Sequence, residues 1–164
     1  MNLKNWHQEE MKLYFLYITT AILNFYVIMF LWGVSAGFAS YLPVASVTSS
    51  ILLLVIASPI IVFNPKFGLA LGLILSVIMI PFSVAYIIGT IGDKNYHSFI
   101  ALLFEIPFLL PFAIIGYAGN RVIRRNYHLQ FPRTTISKLL LATIPILLFL
   151  IYAIYVSKNI YFSK

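Results

Sequence analysis

The chain contains no cysteine. That excludes disulfides, thiolate metal sites and cysteine nucleophiles, and it leaves the redox compartment open. Charge is almost as scarce: 9% of the 164 residues are charged, against about 25% in a soluble globular domain. So small a share cannot cover a water-exposed surface. No Asp, Glu, Lys or Arg lies between Lys12 and Lys66, in 67–92 or in 139–157. Motifs of catalysis are missing too. There is no glycine-rich phosphate loop, no Ser/His/Asp grouping and no pair of carboxylates, so no catalytic residue is assigned and an enzyme is not expected. His7, His97 and His128 fall in three separate connecting segments, without ligand spacing on one helix. No metal site or cofactor is expected.

What remains is apolar. Hydrophobic residues make up 62% of the chain and aromatics 16%. The uncharged runs are long enough to cross about 30 Å of hydrocarbon at about 1.5 Å per helical residue. They are apolar on every face, whereas the strands of a membrane barrel alternate apolar and polar residues. The fold class is therefore all-α, an integral membrane bundle of five transmembrane helices forming a single domain. The spans fall at about 13–33, 45–63, 67–91, 98–119 and 139–157. Residues 1–12 read as a short interfacial helix carrying Trp6, and 37–39 do not act as a signal cleavage site, because the apolar run is far longer than a signal core. Asn64-Pro65-Lys66 reads as a tight turn between the second and third spans.

The net charge of +7 belongs to the connections, not to a soluble face, and nucleic acid is not expected as a partner. With five spans, one side collects Lys4, Lys12, Lys66, Arg121, Arg124, Arg125, Arg133 and Lys138, and the other Lys94, Lys158 and Lys164. The excess of Lys and Arg on the first side sets the N-terminus and the basic loop 120–138 in the cytoplasm and the C-terminus outside. The cell membrane, prokaryotic by expectation, is the predicted location. In the loop, Arg121, Arg124 and Arg125 fall at helical spacings. Together with Arg133 and Lys138 they are candidates for contact with anionic headgroups or a docked partner.

One acid, Glu105, lies inside an apolar span. An acid at the bilayer centre costs on the order of 2.5–3.5 kcal/mol on insertion scales, so it must be paired, hydrated or neutralised. No Lys, Arg or His shares its depth, and the carboxyl is expected to be protonated. Matching depths on alternating helices nominates Ser83, Tyr86, Asn24, Tyr26 and Tyr152 as hydrogen-bond partners. Local acceptors are also at hand, because Pro107 cannot donate to the carbonyl of Leu103, nor Pro111 to that of Pro107. Gly68, Gly72 and Ser76 form a stripe of small residues, where a neighbouring backbone can approach closely.

Two functional readings follow from these residues. One is a non-enzymatic accessory or structural subunit of a larger membrane complex, in a respiratory or transport assembly. Its partners would be the bilayer with its anionic headgroups and other membrane subunits or further copies of the chain. The other is a small proton- or cation-coupled transporter or channel with Glu105 as its intramembrane acid. Because the chain has no cysteine, its topology is open to direct test. Single cysteines at Arg124→Cys and Lys164→Cys should react with an impermeant maleimide from opposite faces of the membrane. Reaction from one face would break the span count.

Overall fold

A computed structural model describes residues 3–35, 41–92, 99–124 and 134–161, with side chains placed for 11–29, 41–91, 104–124 and 134–154. Every regular element among the described residues is helical. They are α1 (Leu3–Ser35), α2 (Tyr41–Leu52), a π-helical turn (Leu53–Ala57), α3 (Ser58–Phe63), α4 (Pro65–Gly92), α5 (Phe99–Ile123) and α6 (Thr135–Tyr161). Since α2, the π turn and α3 run on as one rod, five helices are long and apolar enough to cross a membrane. The helices extend past the sequence-based spans at most ends. Intrahelical hydrogen bonding continues beyond the stretch that must be apolar. The short interfacial helix expected before the first span is not separate, because α1 is helical from Leu3 onward.

Local chemistry explains the turns. Asn64 is the single non-helical residue between α3 and α4. Its backbone N–H donates to the Ile60 carbonyl (2.7 Å) and its own carbonyl accepts from Gly68 (2.9 Å). Its side-chain oxygen accepts from the Phe67 N–H (3.2 Å). One residue thus closes one helix and caps the next, with Pro65 pre-set at the first position of α4. The π turn also has a proline cause. Pro59 has no N–H to offer the Val55 carbonyl, and the ladder shifts by one residue at this point. The Ser58 N–H bonds back to the Leu53 carbonyl, and the Ser58 hydroxyl donates to the same oxygen at 2.8 Å.

The packing is a four-sided core with one helix outside it. Helix α1 lies beside α2 and α5, and α4 lies beside the same two, so α1 and α4 face each other across a diagonal. Tyr17 closes that diagonal, its ring buried and its hydroxyl donating to the Gly68 carbonyl at 3.4 Å. The stripe on α4 makes the approach possible. A Cβ on Gly72 would collide with the Tyr17 ring, and a Cβ on Gly68 with the backbone of Ile61. Leu13, Ile18, Leu53, Ile61, Leu69 and Ile114 fill the rest of this layer. Toward the far end a second layer forms, in which Phe108 meets Phe82 and Tyr86 at ring-centroid distances of 5.6 and 4.2 Å. Helix α6 packs outside, against α3 and the π turn. Only 11% of its apolar window is buried, against 50% for each of the first two spans.

The glycine contacts give a graded test. Gly68→Ala places a methyl against backbone that cannot yield, and should destabilise the fold by about 1–3 kcal/mol. Gly89 and Gly116 have open space where a Cβ would sit. Alanine there should be neutral or stabilising by up to about 1 kcal/mol through helix propensity. Unfolding by SDS titration in mixed micelles, followed by circular dichroism, measures both.

Candidate functional site

The prolines set out what the polar residues have to do. In a helix the N–H of residue i serves the carbonyl of residue i−4, so Pro111 frees the Pro107 carbonyl and Pro145 frees that of Leu141. A freed carbonyl in hydrocarbon has no water to turn to. Both are met by α1. The Asn24 amide nitrogen donates to the Pro107 carbonyl at 2.7 Å, and also to the Thr20 carbonyl at 3.1 Å. The Tyr14 hydroxyl donates to the Leu141 carbonyl. Two side chains of one helix therefore dock the broken stretches of α5 and α6.

Among the described residues the buried polar side chains carry no charge. Thr20, Asn24, Ser46, Ser50, Ser58, Ser76 and Ser83 are all 0% exposed. Some of these groups bond within their own helix, Ser50 to the Ser46 carbonyl (2.9 Å) and Ser83 to that of Met79 (3.1 Å). Among the described residues the buried oxygens Thr20 Oγ1, Asn24 Oδ1, Ser46 Oγ and Ser76 Oγ have no hydrogen-bond partner.

Glu105 stands apart from this interior. It is the seventh residue of α5, about 9 Å along the axis from the first. It shares a face with Leu109, Phe112 and Gly116, all exposed, while Pro107, Phe108, Pro111, Ile114 and Ala118 form the buried face of the helix. Its side chain is half-buried, and among the described residues none forms a hydrogen bond or ion pair with it. None of the five nominated partners hydrogen-bonds to it. Asn24 serves Pro107 and Ser83 serves Met79, and the Tyr86 ring lies against Phe108. Tyr152 meets Phe25 at 5.0 Å and Tyr26 at 6.1 Å, both edge-on, on the α1–α6 side of the bundle. Sequence depth placed these groups at comparable levels, but it carried no information on which way each helix is turned. The partner of Asn24 was legible in outline, since the proline rule named the Pro107 carbonyl as an unmet acceptor.

The described basic side chains gather at the opposite end from Glu105. The Tyr14–Leu141 bond and the Tyr17–Gly68 bond bring the starts of α1, α4 and α6 together. Leu73 lies 3.9 Å from where a Gly119 Cβ would sit, which brings the end of α5 to the same level. Lys12, Lys66, Arg121, Arg124 and Lys138 therefore share one end. Arg121 donates to the Tyr117 hydroxyl at 3.1 Å, and its guanidinium carbon is 5.2 Å from the centroid of the same ring. Arg125 and Arg133 lie outside the described residues. Among the described residues no cluster of His, Asp or Glu has the makings of a metal site.

The last feature is an apolar cleft of about 180 Å³ between α1, the second span and α6. Ala21 and Phe25 line it from α1, Ser50 and Leu54 from the second span, and Leu148 and Tyr152 from α6.

Comparison with known protein families, curated proteins and solved structures finds no match to this chain.

The Asn24 bridge is testable by a double-mutant cycle. Asn24→Leu leaves the Pro107 carbonyl unmet and should cost about 1–3 kcal/mol. Pro111→Ala returns an N–H to that carbonyl, so Asn24→Leu should cost clearly less in that background. Equal costs in the two backgrounds, read from SDS unfolding, would refute the bridge.

Proposed function

We propose that the chain is a non-enzymatic accessory or structural subunit of a larger membrane assembly, joined to its neighbours through the outward face of α5. The observation that carries this reading is the placement of Glu105. A carboxyl set within an apolar span needs a partner. The interior of this chain turns away from it, and Arg121 lies about 24 Å off along the helix. A hydrogen-bonding or cationic side chain on a neighbouring helix would meet the need, and interhelical bonds of this kind hold membrane assemblies together. Open space at Gly116 on the same face would let such a helix come close. By the excess of Lys and Arg at the other end, that end faces the cytoplasm of a cell membrane. Lys12, Lys66, Arg121, Arg124 and Lys138 there would contact anionic headgroups.

A second reading, a small proton- or cation-coupled transporter with Glu105 as coupling acid, has one observation in its favour. The buried oxygens of Thr20, Asn24, Ser46 and Ser76 lack partners and would suit a polar path. Its weakness is that Glu105 lies on a different face from those oxygens.

Substituting the acid separates the two. On native gels after mild extraction, Glu105→Gln should keep the size of the assembly, because Gln still hydrogen-bonds, and Glu105→Leu should lose it while the chain remains inserted and helical. Loss of proton or cation uptake in Glu105→Gln, with assembly unchanged, would instead select the transporter.

A further inference from the structure

The cleft between α1, the second span and α6 has no role in either reading. Its lining residues fall inside the first two apolar spans and toward the far end of the last. Two of its lining residues, Tyr26 on α1 and Leu148 on α6, are themselves exposed, so the cleft is open to the outside of the bundle. The walls are almost wholly apolar. The Ser50 hydroxyl is already committed to the Ser46 carbonyl, so water entering would find few bonds to make. Dry apolar cavities of about 150 Å³ accept benzene-sized hydrocarbon, and this one holds about 180 Å³. That is too narrow for a helix. The small side chain of Ala21 lies in the lining of the cleft, and so does Leu54, a residue of the π turn. In a bilayer the material present at this depth is lipid hydrocarbon.

We infer that the cleft is a binding site for the end of one lipid acyl chain. The chain lies between α6 and the core, in contact with the Phe25 and Tyr152 rings. Helix α6 is the span with the smallest share of its residues buried. The bound chain completes its packing on this side, and removal of lipid loosens α6 before the four-sided core. This rests on insertion of the helices in a bilayer and is independent of the subunit reading.

The test uses the chain alone, in nanodiscs of phosphatidylglycerol bearing a diazirine near the end of one acyl chain, with the labelled positions mapped by mass spectrometry after irradiation. Ala21 and Leu54 are 1% and 7% exposed, so lipid that merely surrounds the protein cannot reach them. Ile74 and Val77, exposed on α4, report that surrounding lipid. Label should appear at Ala21 and Leu54 in the unaltered chain. It should be lost there in Leu148→Trp, which fills the mouth, with Ile74 and Val77 unchanged. Ile51→Phe fills the same space from another wall and gives the same reading if the tryptophan variant fails to insert. Label confined to exposed positions in the unaltered chain, or unchanged at Ala21 and Leu54 in the filled variants, would overturn the site.

Discussion

A helix that crosses hydrocarbon must satisfy its own carbonyls, because the solvent around it offers no donors. Each of the last four spans of this chain contains a proline, and each proline withdraws one donor from the ladder. The answers differ. At Pro59 the backbone itself shifts into a π turn, with Ser58 doubling the bond to Leu53. At Pro111 and Pro145 the donor comes from another helix, as Asn24 and Tyr14 of α1 reach the carbonyls of Pro107 and Leu141. The tolerance of α5 and α6 for proline thus depends on α1 being in place, and the polar content of α1 is there to serve its neighbours. This makes α1 the hub of the fold, although α4 is the more apolar helix.

That division of labour bears on function. The interior carries hydroxyls, one amide and aromatic rings, all neutral, and it is closed across its diagonal by Tyr17 against Gly68 and Gly72. Charge is expelled to the periphery: the described basic groups to one end, and Glu105 to the outward face near the other. A coupling acid needs access to a path through the protein, whereas an assembly contact needs a face that other chains can reach. The arrangement of α5 suits the second need. Helix α6, held by the Tyr14 hydroxyl and by packing against α3 and the π turn, adds a large outward apolar surface. The cleft beneath it is where lipid hydrocarbon can take part in the packing.

Much of the architecture was legible in the residues. Long uncharged runs between Lys12 and Lys66 and beyond marked helices long and apolar enough to cross a membrane, and Asn64-Pro65 marked its turn because each residue carries its own backbone preference. Gly68, Gly72 and Ser76 announced a close approach, since four-residue spacing puts small side chains on one face of any helix. The freed Pro107 carbonyl followed from covalent structure alone. What could not be read was rotation. Glu105, Asn24 and Tyr152 have definable depths, but a turn of α5 by a third of a circle separates an acid inside the bundle from one outside it. That angle is set by the summed packing of Pro107, Phe108, Pro111, Ile114 and Ala118 against other helices.

The sequence by itself determined the number of helices long and apolar enough to cross a membrane, the end that collects the described basic residues and the carbonyls that proline leaves unmet. All of these depend on residue chemistry and one-dimensional spacing. Only the tertiary structure decided which side chain meets each carbonyl, which way the lone intramembrane acid faces, and that a cleft opens beneath α6. Those outcomes depend on the mutual rotation of helices, which short-range contacts between residues far apart in the chain determine and spacing along it does not.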